Sequence, residues 1–99
     1  MKPINLLRRG GEMFVIVTYD VKEKRVNKVR KKLNQYLFWS QNSVFEGEIT
    51  ESQLLKCLSE IKKIINTEED SIYIYKIENL KNFEKVIVGV TKNFDAFIL

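Results

Sequence analysis

Phe14-Val15-Ile16-Val17-Thr18-Tyr19-Asp20 is the stretch that decides the fold. Its unbroken run of β-branched and aromatic residues is the pattern of a strand covered on both faces rather than one with a wet side. The spacing therefore predicts a central strand with a carboxylate, Asp20, directly at its end.

Downstream, the period changes from strand to helix. From Glu23 to about Tyr36, Val26, Val29, Leu33 and Tyr36 recur at steps of three and four, which predicts an amphipathic helix with Lys24, Lys28 and Lys31 on its opposite side. Leu37 to Ile49 is rich in aromatic and β-branched residues around a polar Gln41-Asn42 pair. It reads as two short strands joined by a tight turn, or as one bent strand, and the hairpin is the preferred reading. Thr50 with Gln53 forms a capping box, and Leu54, Leu58, Ile61 and Ile65 supply the stripe of a second helix ending near Asn66. Its outer side mixes Glu60 with Lys56, Lys62 and Lys63. After the turn-like Thr67 to Asp70, three segments have strand composition: Ser71 to Ile77, Val86 to Val90, and Ala96 to Leu99.

The order β-α-β-β-α-β is a split βαβ arrangement: an α+β, ferredoxin-like fold with two helices on one face of an antiparallel sheet. The other face is left open, and a middle strand as apolar as Phe14 to Tyr19 is not stable against water. This predicts a homodimer with sheets packed face to face and the terminal strands free to add to the partner's edge. Residues 1–12 show no strand alternation and end in Arg8-Arg9-Gly10-Gly11-Glu12 before a second methionine. They are expected to lie outside the fold, either upstream of a native start at Met13 or as a flexible arm whose arginines touch nucleic acid, with residues 13–99 forming a single domain.

Composition narrows the chemistry. With 44% hydrophobic and 30% charged residues, the chain is too apolar for disorder. There is no histidine and one cysteine, Cys57, so an internal disulfide, a zinc site of the usual ligands, and Ser-His-Asp or Cys-His catalysis are excluded. Any catalysis must use carboxylates, lysine, tyrosine or a metal ion. The longest apolar run, Phe14 to Val17, falls far short of the roughly 20 residues of a membrane span, and a cytoplasmic protein with no membrane role is expected. Of the formal charge of +4, residues 1–12 carry +2, so basic character in the domain must be local to matter.

Asp20 is the first candidate for chemistry. Two copies meeting across a twofold axis near this strand end would let paired carboxylates share a divalent cation, for which oxygen ligands suit Mg2+ or Mn2+. Such a metal can activate water and screen a scissile phosphate. Asp20 with Glu23 is equally a helix capping box. The run Lys22, Lys24, Arg25, Lys28, Arg30, Lys31 and Lys32, broken by the single acid Glu23, has the density of a phosphate-binding footprint. Nothing there matches a base-reading motif, so contact to the backbone is expected. Tyr36, Phe38, Trp39 and Phe45 suit base stacking or, more simply, core and interface packing. The Ser43 hydroxyl suits a phosphate, a metal-bound water or a turn hydrogen bond.

An apolar strand ending Tyr19-Asp20, then Arg25, Lys28-Val29, Lys31, Leu33 and Tyr36, then Gln41-Asn42-Ser43-Val44-Phe45-Glu46-Gly47, resembles the CRISPR-associated Cas-two family. The resemblance runs from Met13 to about Ile77 and continues more weakly through Val86 to Val90; many members have glycine where Leu37 stands and arginine where Trp39 stands. It implies a homodimer of ferredoxin-like subunits with an extra C-terminal strand exchanged between them, acting with the CRISPR integrase subunit in a complex that captures foreign DNA, and a metal-dependent endonuclease on RNA or DNA. It further implies that Asp20 is the catalytic and metal-ligating aspartate and that Tyr19, Ser43 and Phe45 lie near the active site or dimer interface. Lys24, Arg25, Lys28 and Lys31 would contact nucleic acid. A non-catalytic DNA-binding scaffold for the integrase, or a toxin-type endoribonuclease of the same fold, are the alternatives.

Overall fold

The computed structural model describes residues 12–79, 81 and 83–90. Its elements run β1 (Glu12–Asp20), α1 (Glu23–Asn34), β2 (Phe38–Gln41), β3 (Val44–Thr50), α2 (Glu51–Lys62) and β4 (Ser71–Ile77). The four strands form one antiparallel sheet in the order β2-β3-β1-β4. Each βαβ unit is therefore split by a strand from the other half: β3 separates β1 from β2, and β1 separates β3 from β4. The βαββαβ reading holds.

Side-chain alternation along β1 sorts the sheet into two unlike faces. Met13, Val15, Val17 and Tyr19 are buried and join Phe45 and Ile49 of β3, Val29 and Leu33 of α1, and Leu54, Cys57 and Ile61 of α2 in the core. Val15 and Val17 have no exposed surface, and burial of such side chains stabilises the fold by about 1.5–3 kcal/mol each. Phe14, Ile16 and Thr18 point the other way and are only half-buried. In register with them are Ile77, Tyr75 and Tyr73 of β4 and Glu48, Glu46 and Val44 of β3. The uninterrupted apolar run thus encodes one face roofed by helices and a second face with no helix over it among the described residues.

The helix ends follow from local chemistry. At α2, Thr50 Oγ1 accepts from the Gln53 amide at 3.2 Å while Gln53 Oε1 accepts from the Thr50 amide at 3.1 Å, the reciprocal pair expected from the sequence. The β2–β3 hairpin turns at Asn42, whose φ of 39° is left-handed. Asparagine tolerates that conformation better than most residues. Gly47 of β3 lies under the hairpin, where an added Cβ would meet Leu37 Cδ2 at 3.3 Å.

Expectations need correction at three places. The segment Val86 to Val90 forms no strand within a single copy: it follows Phe83, whose ring packs tilted on Phe14 at 4.8 Å, and together with Ile16, Ser40, Gln41, Val44 and Glu46 it lines a groove on the unroofed face. A segment crossing a sheet face finds no ladder of amide and carbonyl groups to pair with, so strand composition alone does not make it a strand. Both helices also end early: the first at Asn34 rather than Tyr36, because Gln35 and Tyr36 close it with shorter turns onto Lys32 and Leu33, and the second at Lys62 rather than near Asn66, where Lys63 and Ile64 close it likewise onto Glu60 and Ile61. β1 starts at Glu12, one residue before the expected boundary, and the C-terminal strand expected at Ala96 to Leu99 lies outside the described residues.

Candidate active site at the tip of the central strand

Asp20 ends β1 in register with Ser71, the first residue of β4. By alternation its carboxylate belongs to the unroofed face, alongside Thr18 and Ile16, and it is exposed. On the other flank the Tyr19 amide donates to the Ser43 carbonyl at 3.2 Å, extending the β1–β3 ladder into the hairpin turn. Ser43 and Asp20 therefore sit at the same end of the sheet. Tyr19 and Phe45 do not reach that surface. Both are buried on the helix side with ring centroids 6.2 Å apart, forming the floor beneath the strand end. Burial raises the Tyr19 phenol above its ordinary value, opposed by the positive charge of Arg30 and by the Ser43 hydroxyl.

The capping box offered for Asp20 and Glu23 is absent. The N-cap of α1 is Lys22, which receives no bond from a side chain of its own helix. The work is done from 48 residues away: Asp70 Oδ1 accepts from the Lys22 amide at 2.9 Å. The same buried carboxylate accepts from the Asn66 amide at 2.9 Å and from Arg25 Nε at 2.6 Å, while Arg25 also donates to Glu69 at 2.7 Å. These bonds hold the Asp70 carboxyl far below the usual carboxylate range, Arg25 first among the causes, and raise the Arg25 guanidinium correspondingly. The cluster fastens the start of α1 to the start of β4, two residues from Asp20. Sequence reasoning missed Asp70, since no local spacing links it to Arg25.

The basic residues separate into two groups. Arg25 is 16% exposed and committed to Asp70 and Glu69. Lys24, Lys28 and Lys31 stand at i, i+4 and i+7 and are exposed, so they form one outward row. Among the described residues no three Asp, Glu, Cys or His side chains converge into a metal-binding group. Asp20 places one exposed carboxylate at the end of β1. That is compatible with Mg2+, which keeps several waters and takes one or two carboxylates. Among the described residues no helix is long and apolar enough to cross a membrane.

Comparison with known proteins bears on the same segment. The family profile for CRISPR associated protein Cas2 matches residues 13–86, from β1 to the start of the segment over the unroofed face. The chain belongs to the Cas2 family. A relative from Thermodesulfovibrio yellowstonii, named a CRISPR-associated endoribonuclease Cas2, is 55% identical over 87% of this chain and 98% of its own length. One of the same name from Thermotoga maritima is 43% identical over 87% and 99%. A solved Cas2 structure superposes with a TM-score of 0.73 at 49% identity, covering 82% of this chain and 91% of that one. The Cas2 of Streptococcus pyogenes gives 0.65 at 31% identity, covering 77% and all of its own chain. In this Cas2 chain the segment that the profile matches includes Asp20, the lysine row and the hairpin.

Proposed function

We propose that this Cas2 chain works as a homodimer that hydrolyses RNA phosphodiester bonds with Mg2+ or Mn2+ held between two Asp20 carboxylates. The observation that carries the reading is the position of Asp20: the tip of the central strand, on the sheet face that no helix covers among the described residues. Phe14, Ile16, Tyr73 and Tyr75 occupy that face, and Tyr73 and Tyr75 are more than half exposed. Val86, Val88 and Val90 expose still larger fractions beside it. A second copy on this apolar surface would remove it from water and bring two strand tips toward one axis. The relatives from Thermodesulfovibrio yellowstonii and Thermotoga maritima, both named endoribonucleases, support RNA as substrate.

A bound divalent ion would supply a water of lowered pKa and neutralise charge building on the phosphate. The chain's own contribution is positional. Asp20 offers an acceptor-only group, and the Asp70 clamp fixes the backbone two residues later. Lys24, Lys28 and Lys31 hold substrate phosphates away from the axis, and the Ser43 hydroxyl stands at the same sheet end as Asp20. Asp20→Asn, which keeps the size and removes the charge, should reduce magnesium-dependent RNA cleavage to the level without added metal while sedimentation still shows a dimer. Full cleavage by a dimeric Asp20→Asn protein sinks the catalytic reading.

The lysine row favours a second reading, in which the dimer is a DNA-binding scaffold for the CRISPR integrase and performs no chemistry. In that case Asp20→Asn leaves spacer acquisition intact and charge reversal at Lys28 and Lys31 abolishes it.

A further inference from the structure

The side of α1 that faces the β2–β3 hairpin is polar where an amphipathic helix normally buries apolar side chains. Asn27, Arg30, Lys31 and Asn34 stand at i, i+3, i+4 and i+7, the spacing of one helical face, and all four are exposed. With Trp39 and Phe45 they line a cavity of about 480 Å3, inside the range of roughly 300–1,000 Å3 common for small-ligand sites. None of the six lining residues is acidic.

Three further features bear on what fits there. Arg30 and Lys31 have no carboxylate partner among the described residues, unlike Arg25, Lys32, Lys76 and Lys85, each of which is ion-paired. The Asn27 and Asn34 amides likewise make no side-chain hydrogen bond among the described residues. The indole of Trp39 is held in place: it packs on the core, and its Nε1 donates to the Asn42 carbonyl at 2.9 Å, at the left-handed turn residue. Phe45, only 2% exposed, forms the floor. A ring fixed before any ligand arrives loses little entropy on binding.

We propose that this groove is a subsite for one unpaired nucleotide, its base stacked on Trp39, its phosphate held by Arg30 and Lys31, and its base edge or sugar hydroxyls met by the Asn27 and Asn34 amides. The inference rests on the nucleic-acid reading above and deepens it. A flat fixed aromatic, two unneutralised cations and two free amides around one cavity are the complement of a nucleotide. A base paired inside a duplex is covered on both faces by its neighbours, so only a single-stranded or extruded nucleotide can enter. The consequence is a preference for single strands, tolerant of sequence because every base has a stacking face.

Trp39 is the chain's one tryptophan, so indole emission reports this site alone. The full chain is titrated with oligouridylate, oligothymidylate, a duplex of equal length and a strand of abasic sites with the same backbone charge, while fluorescence anisotropy of labelled strands gives affinity. Both pyrimidine strands should quench the emission, with any difference between them assigning ribose or deoxyribose preference. The duplex and the abasic strand should bind without quenching. Trp39→Ala should weaken single-strand binding about 5- to 150-fold, the range for losing one stacked base, and change duplex binding less than about twofold. Should circular dichroism show Trp39→Ala unfolded, the Asn27→Ala/Asn34→Ala protein, with its indole intact, should show weaker single-strand binding at unchanged duplex affinity. Emission unmoved at saturation with oligouridylate, or quenched equally by the abasic strand, overturns the subsite and leaves the broader reading standing. Failure to bind any of the four probes overturns both.

Discussion

Replacing Lys24, Lys28 and Lys31 together by glutamine separates phosphate contact from structure on the same helix. The three side chains form one exposed row from residue 24 to 31, about 10 Å of helix axis. A duplex presents about six phosphates over that length, enough for each lysine to meet its own. Each neutralised phosphate contributes about 0.9 to the slope of log affinity against log salt. Loss of three contacts should therefore flatten the slope by about 2.7 for each chain that touches the duplex. Between 50 and 200 mM salt the wild type should then lose about 40-fold more affinity than the variant. Arg25→Gln is the internal control: its guanidinium is bound to Asp70 and Glu69, so the slope should stay as in the wild type while the melting temperature falls. Anisotropy titrations of a labelled duplex at several salt concentrations give both slopes. Equal slopes for the triple variant and the wild type, or a flattened slope for Arg25→Gln, would refute the division of basic residues drawn from the structure.

Other expectations are as direct. Because the folded Asp70 carboxyl is depressed below its unfolded value of about 3.9, its stabilisation is complete above that pH and is lost as pH falls toward the folded value. Asp70→Asn should melt lower than wild type at neutral pH and decline less steeply in acid; parallel melting profiles would contradict the clamp. At the hairpin, Asn42→Val should destabilise by about 1–2 kcal/mol in urea titrations, the cost of a left-handed bulky residue, whereas Asn42→Gly should be nearly neutral. Ile16→Lys, a charge on the unroofed face, should give a sedimenting species of the 11.7 kDa chain mass with unchanged circular dichroism. A persistent dimer would move the proposed interface elsewhere.

Much of this architecture was legible in the chain because its signals are local. The run Phe14 to Tyr19, the Thr50–Gln53 box and the three- and four-residue steps of Val26, Val29 and Leu33 each name their element without reference to distant residues. Asp20 was legible for the same reason, as a carboxylate directly after a strand. What escaped depends on partners far apart in sequence. Arg25 looks like any other residue of a basic run until Asp70 is seen beside it, 45 positions later. Val86 to Val90 has the composition of a strand, yet composition reports apolarity rather than the presence of an edge to pair with. The α1 face at Asn27, Arg30, Lys31 and Asn34 was hidden because its polar side chains read as solvated surface; only the hairpin folded against them makes a cavity.

The Asp70 clamp also bears on how the Asp20 strand end comes into being during synthesis. The group that anchors Lys22 belongs to the second half of the chain, so a nascent polypeptide that has completed α1 and even α2 can pair β1 with β3 but still lacks the bond that holds Lys22, two residues after Asp20. The bond closes a long loop and so belongs to the non-local contacts of the fold. Copies truncated before Asp70 therefore hold the carboxylate without the clamp beside it.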